Sequence, residues 1–225
     1  MLTSASVTLR RFSARAILLD WDGTILNSYA ADSRAYLQMF RALGINWGLR
    51  ELARHYSPNW YKVYRAAKLP RRAWPDADRL WNEAYDKEAP ELLAGARAAI
   101  ERMAKSFQLG VVTSGNRHRV QRQLRDFKLH EHFAVCVCAE DATHRKPHPA
   151  PLKLALQKLQ LTAEMCIYVG DSPEDVQMAR RARVRVIGVR GPFPTAARVR
   201  AAGPDLMLKS IADVPGRVIA IPQFS

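Results

Sequence analysis

Five short apolar runs punctuate the chain, at 16–19 (AILL), 109–113 (LGVVT), 133–138 (FAVCVC), 166–170 (CIYVG) and 184–189 (VRVIGV). Each is short and almost unbroken, as expected of a strand buried on both faces of a parallel sheet. The last carries Arg185 and reads as lying nearer an edge. Helical patterns at 95–103, 118–127, 151–159 and 173–182 precede the second to fifth runs, with Pro149, Pro151 and Pro173 marking helix starts. This repeat predicts an α/β fold, a Rossmann-like parallel sheet with helices on both faces.

One interval breaks the rhythm. Almost ninety residues separate the first two runs, far more than a crossover needs. Within it, 28–44, 50–67 and 74–84 read as helices, and it holds every tryptophan but Trp21 and six of the seven tyrosines. It is expected to be an inserted helical cap domain at 28–92, with linkers near 27–33 and 89–95 and a core built from 1–27 and 93–225.

Composition narrows the class. Hydrophobic residues make up 48% and charged residues 25%, which are globular values. No run approaches the ~18 apolar residues of a membrane span, so no membrane partner is expected. The three cysteines, Cys136, Cys138 and Cys166, form no CxxC, which excludes a disulfide scaffold or a four-cysteine zinc site. Cys136 and Cys138 alternate on a strand and read as buried rather than reactive. The opening stretch lacks an apolar segment with a cleavage site, so a cytoplasmic protein is expected. The net charge is +14, and 180–203 holds seven arginines and no acid. Such a surface attracts anions. A solvated basic face is favoured over nucleic-acid binding, because no zinc-finger spacing, recognition helix or arginine–glycine repeat accompanies it.

The first run leads directly into Asp20-Trp21-Asp22-Gly23-Thr24. Strand alternation sends Asp20 and Asp22 to one side and Trp21 to the other. Open α/β sheets bind ligands at their carboxyl strand ends, where two adjacent acids call for a cation or a shared proton. Two surface acids in an Asp-Gly turn are the alternative.

LDWDGTILNS resembles the opening motif of the haloacid dehalogenase superfamily, in particular its phosphoglycolate- and sugar-phosphate-phosphatase-like members with a helical cap. The resemblance implies that Asp20 is the nucleophile and Asp22 the general acid/base. Three later segments fit the same family, each at its own strand end. Thr113-Ser114-Gly115 would hold a phosphoryl group through the threonine hydroxyl and backbone amides. Lys146, in Arg145-Lys-Pro-His-Pro, would neutralise the nucleophile and the phosphoryl oxygens. Asp171 and Asp175, in GDSPED, would bind Mg²⁺ together with the Asp20 side chain and the Asp22 carbonyl. Arg145 and Glu174 are competing neighbours, disfavoured by motif context.

The implied reaction is Mg²⁺-dependent hydrolysis of a small phosphorylated metabolite through a phosphoaspartate. A sugar-phosphate mutase shares these core motifs. A nucleic-acid-binding or structural protein on an inactive scaffold of this kind is the remaining alternative. In the cap, His55, Tyr56, Trp60, Tyr61, Arg65 and Arg72 are candidate leaving-group contacts, although Trp60 and Tyr64 at i, i+4 also suit simple helix packing. His144 and His148 flank Lys146 and are candidates for the entrance. Either a monomer or a homodimer is compatible with the sequence.

Overall fold

The computed structural model describes residues 12–221. The stretch 1–11, which carries most of the expectation about a leader, lies outside these residues, as do 222–225. The chain runs through β1 (Phe12–Ala14), β2 (Ala16–Leu19) and β3 (Leu26–Asn27). Four helices follow, α1 (Tyr29–Ala42), α2 (Leu49–His55), α3 (Trp60–Ala66) and α4 (Trp74–Tyr85), and then β4 (Glu91–Leu92). Next come α5 (Ala96–Ala104), β5 (Gln108–Val112), α6 (Arg117–Asp126), β6 (Phe133–Val137) and α7 (Ala150–Leu159). The chain continues with β7 (Cys166–Gly170), α8 (Pro173–Arg181), β8 (Arg185–Val189), α9 (Ala196–Ala202), β9 (Leu206–Leu208) and β10 (Val218–Ala220).

Six parallel strands form the main sheet in the order β6-β5-β2-β7-β8-β9. Alternation along the central strands decides the two faces. Ile17, Leu19, Ile167 and Val169 pack with Ile100 of α5 and Val120 and Leu124 of α6. Ala16, Leu18, Cys166 and Tyr168 pack with Leu152 of α7, Val176 of α8 and Val199 of α9. The chain steps outward from β2 in both directions, so the end of β2 is where the strand order reverses. Ligand clefts of open α/β sheets form at that position.

All five apolar runs are strands of this sheet, and the insertion is helical. The expected helix over 50–67 is two helices. Pro58 has no amide hydrogen and pushes Ser57 out of the helical region, so α2 ends at His55 and α3 begins at Trp60. The first expected linker is also shorter, because α1 already begins at Tyr29. The two passages between core and insertion are tied by an antiparallel pair, Leu26 to Leu92 and Asn27 to Glu91. The helices of the insertion share their own core of Tyr36, Met39, Phe40, Leu52, Val63 and Tyr64.

The basic stretch 180–203 is partly structural. Arg180 donates to the Gly203 carbonyl, and Arg181 to that of Pro147 at 2.9 Å. Arg185 donates to the Glu164 carbonyl at 3.0 Å, and Arg198 to that of Tyr56 at 2.9 Å. Four of the seven arginines thus serve backbone carbonyls. Among the described residues, no helix is long and apolar enough to cross a membrane.

Gly110 lies where β5 passes between its neighbours. A Cβ there would stand 2.5 Å from both Leu18 Cδ2 and Val135 Cγ1. Gly110→Ala is expected to cost about 1–3 kcal/mol by overpacking. Combined with Leu18→Ala it should cost less than the sum of the two single changes, since the truncation removes one of the two close contacts. Urea unfolding of the three variants tests this; strict additivity would refute it.

Candidate active site

The residues expected at four different strand ends converge. Asp20 follows β2, Thr113 follows β5, and Asp171 follows β7. Lys146 arrives from the loop between β6 and α7. Its ammonium is buried and donates to Asp20 Oδ1 at 2.8 Å, to Asp175 Oδ1 at 2.8 Å and to the Tyr168 hydroxyl at 2.7 Å. Tyr168 OH has one proton and two acceptors within reach, Asp175 Oδ1 at 2.9 Å and the Val112 carbonyl at 3.0 Å. The other carboxylate oxygen of Asp175 accepts from the Ser172 amide at 3.0 Å and the Ser172 hydroxyl at 2.6 Å. Ser172 Oγ in turn accepts from the Asp175 amide, closing a capping box at the start of α8.

Asp20, Asp171 and Asp175 each offer an oxygen within 4.8 Å of the others. Burial pushes the Asp20 carboxyl up to about 7, with Asp175 adding to the rise and Lys146 opposing it. Burial, Asp20 and Asp175 hold Asp171 well above the usual carboxylate range. Burial alone would lower Lys146, but Asp175 and Asp20 raise it and keep it charged. The cluster thus gathers three acids around one lysine, and burial with mutual repulsion pushes two of them toward their protonated forms. Asp171 Oδ2 is buried and has no hydrogen-bond partner. Room around it depends on glycine: a Cβ on Gly23 or Gly191 would stand 2.3 Å from that oxygen. A crowded, all-oxygen donor set with one unpartnered carboxylate oxygen fits a hard divalent cation. The two Asp175 oxygens are already engaged, so Asp20 and Asp171 are the freer donors.

Trp21 points away from the cleft, as alternation requires, and its indole donates to Gln123 Oε1 at 2.8 Å. Asp22 is gripped by Arg119 of α6 through two bonds of 3.0 and 2.6 Å. Arg119 is buried, and its guanidinium lies 4.8 Å from the centre of the Tyr85 ring on α4. Next to Thr113, the Gly115 amide donates to Thr113 Oγ1 at 3.0 Å, while Ser114 Oγ has no partner. Asn116 caps α6 and also donates to Asn82 of α4 at 2.8 Å.

A cavity of about 280 Å³ lies between these strand ends and the inserted helices. Asp20, Asp22, Asp171, Thr113, Ser114 and Gly115 line its core side. Lys146 and Asp175 do not line it and sit beneath Asp20. Of the six cap candidates, Tyr56 and Trp60 line the cavity. His55, Arg65 and Arg72 are exposed, with His55 stacked on Trp47, and Tyr61 stacks on Trp74 at 4.6 Å. His144 and His148 stack on each other at 4.3 Å on the surface and are not part of the lining. Asp32, Tyr36, Tyr64, Asp78, Trp81 and Asn82 also line the cap side, with Ser57 and Pro58 beside them. None of these six was a candidate contact from the sequence. Their membership follows from how α1, α3 and α4 pack, which helical periodicity alone leaves open.

Glu174, disfavoured by motif context against Asp175, has its own task. It accepts from Ser57 Oγ at 2.7 Å and from Lys62 Nζ at 3.0 Å, joining α8 to the insertion. Tyr56 stacks on Phe193 at 4.5 Å beside it.

Residues 17–189 match the family model described as haloacid dehalogenase-like hydrolase. A putative pyrophosphatase PpaX of Caldanaerobacter subterraneus is 30% identical over 178 residues, covering 78% of this chain and 81% of the relative. Two solved structures share the fold. One is a predicted phosphoglycolate phosphatase from Haemophilus somnus (TM-score 0.79, 21% identity, 89% of this chain and 96% of the other). The other is a putative β-phosphoglucomutase from Bacteroides vulgatus (TM-score 0.77, 19% identity, 92% of this chain and 88% of the other).

Lys146 is the positive charge that pulls Asp20 down. Without it, Asp20 should titrate still higher in the folded protein. A carboxyl that holds its proton more tightly when folded favours folding at low pH and loses that advantage as pH rises through its folded pKa. Lys146→Met is therefore expected to cost about 3–5 kcal/mol at neutral pH, from an uncompensated buried charge, and less near pH 5. Urea midpoints at pH 5 and pH 8, with divalent metal chelated, measure the difference; equal losses at both would contradict it.

Proposed function

This chain belongs to the haloacid dehalogenase-like hydrolases, and from that premise we propose that it is a Mg²⁺-dependent phosphatase acting on a small phosphomonoester through a phosphoaspartate. The observation that carries the reading is the buried cluster of Asp20, Asp171 and Asp175 around Lys146, opening on a cavity closed by the cap. The cap is assigned to 28–92, since the two passages pair at Asn27 and Glu91.

Asp20 and Asp171, with the Asp22 carbonyl, would hold the metal, and Asp175 contributes by fixing Lys146. Bound there, Mg²⁺ supplies positive charge that lets two anions, the carboxylate and the phosphate, approach. The Asp20 carboxylate attacks phosphorus, and the phosphorus bond to the leaving oxygen breaks in line. Asp22 gives its proton to the leaving alkoxide. It then takes a proton from water, which attacks the phosphoaspartate and restores Asp20. Thr113 Oγ1, Ser114 Oγ and the Ser114 amide would hold the remaining phosphoryl oxygens, and the Gly115 amide would leave Thr113 Oγ1 to join them. Lys146 keeps Asp20 ionised and aimed. Both Asp22 oxygens accept from the Arg119 fork, so the fork must open before Asp22 can carry the proton it passes to the leaving oxygen. The cap excludes bulk water while the phosphoryl group is in transit.

A mutase would use the same first half-reaction and then return the group to a second hydroxyl. Phosphate release from 4-nitrophenyl phosphate, with Mg²⁺ or with chelator, tests the hydrolytic reading in wild type and Asp20→Asn. Expected are release with metal only and a loss of at least about a thousandfold in Asp20→Asn, the scale for removing a nucleophile. Asp22→Asn should slow both half-reactions. Metal-independent release, or release that survives Asp20→Asn, would overturn the proposal.

A further inference from the structure

Two of the three cysteines touch at the rim of the sheet. Cys136 lies on β6, the outermost strand beside β5, and Cys138 just past its end. Spaced i, i+2, they share a face. Their Sγ atoms are 3.5 Å apart, close enough to share a proton. Cys138 is buried but Cys136 is half-buried, so the expectation of two buried thiols holds for Cys138 alone. The bond from Cys138 draws the Cys136 thiol down, against burial and Asp141, and Arg117 at the start of α6 assists. The same bond, with burial, holds Cys138 up. One sulfur thus leans toward thiolate while its neighbour keeps the proton.

Three fates of such a pair can be weighed. A disulfide needs its Cβ atoms about 3.5–4.5 Å apart. Two residues along a strand stand about 6.6–6.8 Å apart, so bridging them would bend the end of β6. That end is tied down. The Val137 carbonyl accepts from the Thr113 amide at 2.9 Å, and the Ala139 amide donates to the Gly115 carbonyl at 3.0 Å. A zinc ion would want four ligands. Among the described residues, no third His, Cys, Asp or Glu clusters with the two sulfurs. Asp141 is already engaged, accepting from the Cys138 amide at 2.8 Å through one oxygen and from Arg117 through the other. A linear two-coordinate ion asks for two sulfurs only. It would set them about 4.6 Å apart, taking the zinc–sulfur bond of about 2.3 Å as the scale. Starting from 3.5 Å, side-chain torsions supply that opening with the strand in place. Among first-row ions, thiolates select Cu(I).

We propose that Cys136 and Cys138 form a two-coordinate Cu(I) site. The ion takes the position of the shared proton. Both thiols release their protons, two in all, and the bis-thiolate complex carries one negative charge. Copper is neither oxidised nor reduced in this step. The half-buried Cys136 is the way in. Neither cysteine lines the cavity, so the proposal stands apart from the phosphatase reading.

The test uses the full chain, reduced and metal-free, titrated with Cu(I) without oxygen against the coloured competitor bicinchoninate. One equivalent of Cu(I) is expected to leave the competitor, and X-ray absorption of the loaded protein should show two sulfur neighbours. Cys136→Ser and, independently, Cys138→Ala should each weaken binding by more than about a hundredfold, since losing even an outer-shell partner costs about 10–100-fold. Cys166→Ser, in the core on the opposite face of the sheet, should leave it unchanged. Thermal melting shows which variants fold. If neither does, the absorption spectrum of the wild type decides, because it needs no substitution. Four results would overturn the proposal: no Cu(I) withdrawn, binding that survives either substitution in a folded variant, nitrogen or oxygen in place of the second sulfur, or Zn²⁺ held as tightly by the same two cysteines.

Discussion

A single buried ammonium holds the core side of the cavity together. Lys146 is 1% exposed, and its charge is shared between Asp20 and Asp175 while its third bond goes to Tyr168. Those partners come from the end of β2, the middle of β7 and the first turn of α8, so three elements are registered against one another by one nitrogen. The arrangement is demanding. A buried ion cluster repays its desolvation only when every lone pair and proton is placed. Here the Ser172 capping box and the Tyr168 hydroxyl complete the set. Three acids still face one lysine. That imbalance is what suits the cluster to a divalent cation rather than to a structural role alone.

The two carboxylates that open the first motif differ in role because their partners differ. Asp20 is drawn down to the buried lysine. Asp22, beyond one residue that faces the opposite side, is held in the arginine fork of α6. Gly23 then turns with φ at +81°, and only glycine leaves room for Asp171 there. In the mechanism proposed above, the same few residues would supply both the nucleophile and the proton-transfer group.

Much of this was legible in the sequence, and the reasons differ by element. The central strands are short, nearly unbroken apolar runs, so β2, β5, β6, β7 and β8 could be read directly. The acids and Lys146 were legible because family motifs tie them to those ends. Other features depend on packing across long separations. Arg119 sits six residues after Thr113 with nothing local to mark it. Tyr168 lies inside an apolar run and passes for core. The three-residue β9 is too short for periodicity to show. Pro58 was visible as a residue, yet the helical pattern on both sides of it masked the break at 56–59. In the cap, His55, Arg65 and Arg72 had the right chemistry for a ligand contact but face outward, whereas Asp32 and Asp78 look like ordinary helix-surface acids until α1 and α4 are packed together.

The Leu26–Asn27 and Glu91–Leu92 pair has a consequence for how such a molecule can change. The chain leaves the sheet and returns to it at one two-rung ladder, so to the α/β layer the whole cap is a single closed loop. Closing a longer loop adds only about 0.6 kcal/mol for each doubling of its length. Insertions, deletions and wholesale remodelling above that ladder are therefore nearly invisible to the thermodynamics of the sheet below. The cap side of the cavity is free to drift, while the core side is fixed by its own buried charges.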